Sequence, residues 1–371
     1  MNKLIISSVI VLSSFIGFSQ EYQFTSIVDL DCSTVKSQGN TGTCWSFSTS
    51  SFLESEIKRI TNMDVDLSEM YTVRNTYPKK AWNYVMRQGK AQFSQGGLAH
   101  DVLNSVESYG LVPEAAFTGL ANNDIKHNHS EMVAVLKAML NAYIDNPARK
   151  LSPRWKTSIE AILDIYLGKN PKTFAYNGKD YTPKSFQKMV KIKASDYVTL
   201  TSFKHQPFYN NFVLSIPDNF SNGSMYNVPL DEFEQIMVNA LENGYSIELD
   251  IDVSEKTFSS KNGIAVIPED KETQLEALLG IQKEKEITQE YRQQEFENYN
   301  TTDDHLMHIT GIAKDQNGTL YFKTKNSWGS NGKRIKYGGY VYISTAFIRL
   351  KAISITVHKD ALTKSLNKKI S

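Results

Sequence analysis

Apolar side chains recur at helical spacing in the first part of the chain. The clearest case is residues 44–60, CWSFSTSSFLESEIKRI, which predict a helix beginning at or just before Cys44. Its apolar positions near one helical face are Trp45, Phe52, Leu53, Ile57 and Ile60. Similar patterns at about 98–110, 130–144 and 152–167 predict three more helices.

From about residue 196 the pattern changes to short apolar stretches separated by turns. These predicted strands are YVTLTSF, SIELDIDV, HITGIA, LYFKTKNSW and GYVYIS. Residues 315–318, DQNG, predict a hairpin turn between two of them. The polar stretch IQKEKEITQEYRQQEFENYNTTDD indicates a solvated helix and loop. The chain therefore reads as a helix-rich part followed by a β-rich part, an α+β protein.

The N-terminus has the pattern of a secretory signal peptide. Lys3 precedes an apolar run from Leu4 to Phe18, and small residues lie one and three positions before Gln20. A signal anchor is the alternative, but the run is short for a membrane span. We expect cleavage after residue 19 and an exported mature chain, periplasmic or extracellular, without a membrane span.

Composition narrows the function classes. Lys and Arg number 41 against 40 Asp and Glu, a balance that argues against nucleic-acid or membrane-surface partners. The two cysteines, Cys32 and Cys44, are too few for a disulfide framework in a chain of 371 residues. Cys44 is then a core thiol, half of a disulfide with Cys32, or a nucleophile.

The predicted position of Cys44 favours a nucleophile. A helix N-terminus stabilises a thiolate, and a nucleophile also needs a base, a group that orients the base, and oxyanion donors. His305 and His308 lie three residues apart on a predicted strand, so only one of them faces the thiol. For His127 and His129, in a polar stretch, we expect solvated side chains rather than a metal pair.

Three motifs resemble those of papain-like cysteine peptidases. QGNTGTCWSFS has Gln38 six residues before Cys44, and DHLMHITG has His305 six residues before Gly311. KNSWG resembles the family's Asn-Ser-Trp-Gly segment and contains Asn326. The stretches LSE, 67–69, and QGGLAHDVLNSVESYGLVPE, 95–114, also fit the family's first lobe.

The spacing of the motifs points to one branch of that family. Cys44 and His305 are separated by 305 − 44 = 261 residues, against about 130–150 in the compact papain type. With GLVPE and TTDDHLMH, this excess resembles the bleomycin hydrolase and aminopeptidase C branch. The implied fold is two-lobed. Its parts would be a helical lobe at about 25–120, a helical insertion at about 120–195, a β-barrel-like lobe at about 196–360 and a tail at 358–371.

The resemblance implies a role for each matched residue. Cys44 attacks the scissile carbonyl as a thiolate, His305 carries the proton, and Asn326 orients the His305 ring. Gln38 and the Cys44 backbone N–H donate to the oxyanion. By the same resemblance His308 is left as a packing or surface residue.

Four further residues are expected at the edges of the site. Trp328 and Trp45 would shield it from water, and Gly96 and Gly97 would let a substrate backbone approach as an added strand. The motifs call for no cofactor and no metal. The implied partner is a peptide or protein substrate, and the family resemblance also implies a homo-oligomer.

The motifs do not decide whether the enzyme removes N-terminal residues or cuts inside a peptide. We expect a cysteine aminopeptidase, with an endopeptidase as the main alternative and an acyl transferase or a non-catalytic binding module as lesser ones. In the aminopeptidase branch a C-terminal arm fills one side of the cleft and presents a carboxylate to the substrate amine. Here residues 368–371, KKIS, are basic and would repel that amine. We therefore expect the block from residues 120–200 or from the acidic segment 283–304.

Overall fold

The computed structural model of the chain describes residues 21–121, 124–148, 150–331 and 335–370. The predicted signal peptide, residues 1–19, lies outside these ranges. The helices in them are α1 Cys44–Thr61, α2 Glu69–Met86, α3 Ala99–Tyr109, α4 Ser130–Ile144, α5 Arg154–Leu167, α6 Pro183–Met189, α7 Leu230–Glu242, α8 Gln274–Ala277, α9 Gln289–Glu297, α10 Thr345–Lys351 and α11 Lys364–Ile370. None of these described helices is long and apolar enough to cross a membrane.

The four helices predicted from apolar spacing are confirmed as α1, α3, α4 and α5. Each buries its apolar face in one core, which also holds apolar side chains of α2 and α6. The stretch predicted as an insertion, about 120–195, therefore packs as part of the helical lobe. Leu136 of α4 and Leu163 of α5 are fully buried in that core.

The strands in the described residues are β1 Thr25–Asp29, β2 Phe174–Tyr176, β3 Lys179–Tyr181, β4 Tyr197–Thr201, β5 Asn211–Val213, β6 Ser224–Asn227, β7 Ile247–Ile251, β8 Phe258–Ser259, β9 Ile264–Ala265, β10 His305–Lys314, β11 Leu320–Lys325, β12 Tyr340–Ser344 and β13 Ala352–His358. All except β2 and β3 join one sheet, ordered β5-β6-β4-β13-β7-β10-β11-β12-β9-β8, with β1 beside β10. The hairpin predicted at 315–318 is confirmed: it joins β10 to β11, with Gly318 N–H donating to the Asp315 carbonyl at 3.0 Å.

The sheet has two different faces. On β7, Ile247, Leu249 and Ile251 point into the apolar core of the β-rich lobe. Strand periodicity places Glu248 and Asp250 on the other face, and both are buried. Helix α1 packs against β10 and β7 on the sheet, so the helix that begins at Cys44 meets the strand that begins at His305.

The first strand corrects the predicted lobe boundary. Residues from about 25 were assigned to the helical lobe, but β1 pairs with β10 in the sheet of the β-rich lobe, with Thr25 opposite Lys314. Gly311 permits this pairing, because a Cβ at Gly311 would lie 2.2 Å from the Val28 carbonyl oxygen. From β1 onward the chain therefore runs from the β-rich lobe to the helical lobe before α1.

The C-terminal helix α11 packs on the β-rich lobe. Leu366 is buried in the core of that lobe and Ile370 packs against it. The Lys369 ammonium lies 4.2 Å from the centroid of the Tyr209 ring, next to β5. Residues 364–370 thus lie against the outer strands of the sheet, away from the junction of α1 and β10.

Candidate active site

Cys44 occupies the first position of α1. Thr43 precedes the helix without a side-chain cap, so backbone N–H groups of the first turn point toward the thiol end of the helix. The thiol is buried and free of any disulfide. It lies beside the backbone N–H of Leu306, the residue that follows His305, and that contact favours the thiolate.

Burial outweighs these contacts when Cys44 is considered alone. Removal of the thiol from water raises its pKa to about 12, and the Leu306 amide only partly reverses the shift. The nearby carboxylates of Asp218 and Asp303 raise the pKa further. The helix N-terminus is therefore not enough to ionise this cysteine, and a positive partner is needed.

His305 forms the predicted pair with Asn326. Its Nε2 lies 2.8 Å from the Asn326 Oδ1, and both side chains are buried. Asn326 Oδ1 also accepts the Ser327 backbone N–H at 2.7 Å, which fixes the amide oxygen toward the ring. This leaves the other ring nitrogen, Nδ1, as the one not held by Asn326.

Burial also lowers the pKa of His305 to about 4, although the Asn326 contact opposes the shift. An isolated charge is thus disfavoured on the histidine as it is on the cysteine. Transfer of the Cys44 proton to His305 creates two opposite charges that stabilise each other. The two residues are therefore suited to ionise together.

Trp328 packs against the catalytic histidine candidate. Its ring centroid lies 4.7 Å from that of His305, and Phe258 contacts the indole edge-on at 6.1 Å. The indole is still 43% exposed, so it forms a wall between the His305 ring and solvent. This position fits the shielding expected from the sequence.

Gln38 is held in the loop that precedes α1. Its Nε2 donates to the Thr41 carbonyl at 2.6 Å, and its Oε1 accepts from the Ser327 hydroxyl at 2.6 Å. The carboxamide carries two N–H bonds, so the Thr41 contact uses one of them. Ser327 thus links Gln38 to the segment that carries Asn326, a connection that the sequence did not reveal.

His308 lies on the other side of β10 from the site. Its Nδ1 lies 2.8 Å from the Ser51 hydroxyl of α1, and its ring contacts Phe52 edge-on at 6.1 Å. The side chain is fully buried, and burial lowers its pKa well below the usual value. His308 therefore packs between the lobes, as strand parity predicts.

The structure corrects the expected surroundings of Gly96 and Gly97. A Cβ on Gly96 would lie 1.8 Å from the Asp218 Oδ2, so a carboxylate of this chain lies directly against this glycine. A Cβ on Gly97 would lie 3.1 Å from the Trp45 indole. Trp45 is itself buried and donates Nε1–H to the Gln95 carbonyl at 2.9 Å, so it supports the glycine segment from below rather than shielding the site from water.

The structure also bears on the expectations for Cys32, His127 and His129. The Cys32 thiol lies 3.0 Å from the Tyr340 hydroxyl and is not bonded to Cys44. His129 is buried, not solvated as expected, and burial lowers its pKa to about 4. His127 packs edge-on against Phe47 at 6.3 Å in the same loop. Among the described residues no group of three or more His, Cys, Asp or Glu side chains is arranged to hold a metal ion.

Comparison with known families accounts for this arrangement. The model of the Peptidase C1-like family matches residues 84–371. This chain belongs to the Peptidase C1-like family. The matched range holds His305 and Asn326 and begins after Cys44. The cysteine peptidase assignment implied by the motifs is thereby confirmed.

Curated relatives of this C1-like peptidase extend the match over most of the chain. Aminopeptidase G of Lactobacillus delbrueckii subsp. lactis is 23% identical over 92% of this chain and 85% of that protein. Aminopeptidase C of Streptococcus thermophilus is 23% identical over 92% of this chain and 84% of its own length. Aminopeptidase C of Listeria monocytogenes is 24% identical over 90% of this chain and 81% of its own length.

A solved structure supports the fold of this C1-like peptidase. PepW from Lactobacillus rhamnosis HN001 superposes with a TM-score of 0.73 at 20% identity, over 93% of this chain and 84% of PepW. The two-lobed, papain-like α+β fold expected from the motifs is confirmed.

Three charged side chains near the site of this C1-like peptidase were not identified from the sequence. They are Lys80 of α2, Asp218 in the segment between β5 and β6, and Asp303 two residues before His305. Asp303 belongs to TTDDHLMH, a stretch that pointed to the family without a role for the aspartate. Asp218 lies in IPDNF, which is typical of an ordinary turn.

Proposed function

We propose that this protein is a cysteine aminopeptidase in which Cys44, His305, Asn326 and Gln38 carry out the chemistry. The observation that carries the proposal is the buried His305–Asn326 pair, with a 2.8 Å contact, beside the N-terminus of the helix that holds Cys44. The names of the relatives support aminopeptidase action over internal cutting.

The acylation step follows from this arrangement. The Cys44 proton moves to His305, and the thiolate attacks the carbonyl carbon of the first peptide bond. The carbonyl oxygen becomes an oxyanion that Gln38 and the Cys44 backbone N–H stabilise. His305 then gives its proton to the amine nitrogen, the C–N bond breaks, and a thioester to Cys44 remains.

Deacylation uses the same groups in reverse order. His305 accepts a proton from water, whose oxygen attacks the thioester carbonyl, and the C–S bond breaks to return the thiolate. Throughout, Asn326 accepts a hydrogen bond from His305 Nε2 and keeps the ring in one orientation. Trp328 limits the access of water to that bond.

The proposal is tested with a peptide that has a free N-terminus and its acetylated twin. An aminopeptidase removes residues stepwise from the free form alone, and mass spectrometry of timed samples shows the ladder. Equal internal cutting of both peptides would instead establish an endopeptidase. Ligation products with an added amine would establish an acyl transferase.

We also propose that residues 1–19 are a signal peptide and that the mature enzyme is periplasmic or extracellular. The support is the basic residue Lys3 followed by an apolar run and small residues before Gln20. N-terminal sequencing of the protein from the exported fraction should start at Gln20. A start at Met1 in a cell-retained protein contradicts the proposal.

A further inference from the structure

A carboxylate of this chain lies at the glycine segment of the cleft. The Asp218 Oδ2 approaches Gly96 so closely that no side chain fits there, while its Oδ1 accepts from Gln92 Nε2 at 2.7 Å. By family resemblance, Gly96 and Gly97 line the path of the substrate backbone on the N-terminal side of the cut. Asp218 therefore occupies the position that a second substrate residue would need.

The segment that carries Asp218 is held firmly. The Asn219 side chain donates to the carbonyls of Leu214 and Gly223, at 3.0 and 2.9 Å, and accepts the Gly223 N–H at 2.8 Å. Phe220 is buried and packs under the Lys80 ammonium at 4.6 Å. The carboxylate is thus pre-organised and does not need to be ordered when a ligand binds.

Carboxylates outnumber positively charged side chains around Asp218. The ammonium of Lys80 donates to the Gly96 carbonyl and faces three carboxylates, those of Asp101, Asp218 and Asp303. Asp101 is used internally, because it accepts the Leu98 N–H at 3.0 Å. Lys80 thus serves several carboxylates at once, and those of Asp218 and Asp303 also raise the Cys44 pKa.

Asp303 is an independent sign that a ligand belongs here. Both of its carboxylate oxygens are buried, and they lie against the Asp250 carboxyl and the Asp218 backbone N–H without a hydrogen bond of normal geometry. It lies against the backbone of Asp218, and burial and the Asp218 charge raise its pKa to about 7. Buried carboxylates this close to one another are costly unless protons or a cation join them.

We propose that Asp218, assisted by Asp303, binds the free α-ammonium group of the substrate and closes the cleft one residue before the scissile bond. The inference rests on the proposed aminopeptidase function and deepens it. The substrate class is then peptides with an unmodified N-terminal amine, and one residue is released per cycle. The segment between β5 and β6 is then the main block of the cleft, instead of residues 120–200 or the acidic segment 283–304 alone.

The test compares Asp218→Asn with wild type on leucyl-aminomethylcoumarin and on its desamino twin, isocaproyl-aminomethylcoumarin. The variant keeps the shape of the side chain and removes its charge. We expect kcat/KM on the leucyl substrate to fall about 10- to 100-fold, mainly through KM. The desamino substrate should not show this loss, and iodoacetamide should label Cys44 in the variant at least as fast as in wild type, because removal of the Asp218 charge lowers the Cys44 pKa.

Two further variants complete the experiment. Asp180→Asn, at an exposed position of β3, is the matched control and should behave as wild type on both substrates. Asp303→Asn leaves the contact at Gly96 in place and should weaken the leucyl substrate several-fold, which keeps the test decisive if Asp218→Asn does not fold.

Two outcomes overturn the inference. Equal rates of wild type, Asp218→Asn and Asp303→Asn on the leucyl substrate would show that neither carboxylate binds the amine, with aminopeptidase action intact. An equal loss on both substrates would show that Asp218 does not act through the amine. Failure of the proposed function looks different, because wild type would then cut acetylated peptides internally.

Discussion

Glu248 provides a test of the polar layer between the lobes. It lies on β7, opposite His308 on β10 and Thr356 on β13, and faces the side of the sheet that α1 covers. Both carboxylate oxygens are fully buried, and the Thr356 hydroxyl is the polar group that interacts with them. Burial raises the pKa of Glu248 to about 8, partly offset by the Thr356 hydroxyl, so at neutral pH the group is protonated in the folded protein.

The sign and size of the pH effect follow from linkage. The folded pKa lies above the ordinary value of 4.5, so stability from the protonated group is present below pH 4.5 and is lost as pH rises through about 8. The full shift of about 3.5 units corresponds to about 5 kcal/mol, and the part that falls between about pH 5 and about pH 8 is about 3 kcal/mol. Glu248→Gln keeps the shape and removes the titration.

The assay is urea unfolding of wild type and Glu248→Gln at several pH values. Every other titrating group is shared, so the difference in the free energy of unfolding isolates Glu248. From about pH 5 to about pH 8, we expect the free energy of unfolding of the variant to increase by about 3 kcal/mol relative to that of wild type. Glu276→Gln, exposed on α8, is the matched control with a flat difference. Parallel profiles for wild type and Glu248→Gln would refute the reasoning.

Three further predictions concern the site. Cys44→Ala should abolish turnover and labelling by thiol reagents, and Cys32→Ala should retain both, as measured by peptide cleavage and mass spectrometry; activity without Cys44 would end the peptidase mechanism. His305→Ala should lower kcat by about 100- to 10,000-fold, whereas His308→Ala should mainly lower the melting temperature. A larger loss of kcat in His308→Ala than in His305→Ala would contradict the assignment. Asn326→Ala should cost about 10- to 150-fold in kcat, the loss of one hydrogen bond to a charged ring, with both limbs of the pH profile kept; a loss as large as that of Cys44→Ala would show that Asn326 does more than orient the ring.

The helices that sequence analysis identified are those with a single apolar face. Helix α2 was not predicted, because it is buried on several sides and its buried positions include Arg74, Asn75 and Lys80. Arg74 is matched by Asp164, whose carboxylate accepts from Nη2 at 2.7 Å across 90 residues of sequence. Apolar periodicity does not register a helix whose polar side chains find partners inside the protein.

Helix α9 was predicted as a helix, but its burial was not. Its charged sequence predicted a solvated helix, yet Arg292 is fully buried. The guanidinium donates to the carbonyls of Ser202 and Arg349, at 2.8 and 3.0 Å, and stacks over the Phe203 ring at 4.6 Å. Backbone carbonyls leave no mark in the sequence, so this burial is visible only in the folded chain.

Sequence analysis likewise found some residues of the candidate site and missed others. Gln38, Cys44, His305 and Asn326 were identified because they belong to motifs with fixed local spacing. Asp218 was not, because its relation to the site arises from the approach of one loop to Gly96, 122 residues away by 218 − 96. Such an approach depends on the packing of the lobes and not on any local pattern.

The pairing of β1 with β10 bears on how the chain reaches its native state. Thr25 lies opposite Lys314, a separation of 314 − 25 = 289 residues in a chain of 371, so this contact closes most of the polypeptide into one loop. Contacts of such long range form slowly, because the entropy of closure must be met before they contribute. During synthesis β1 has no partner until β10 has left the ribosome. The pairing of β1 with the Gly311–Lys314 end of β10, the strand that begins at His305, therefore forms only after most of the chain has been synthesised.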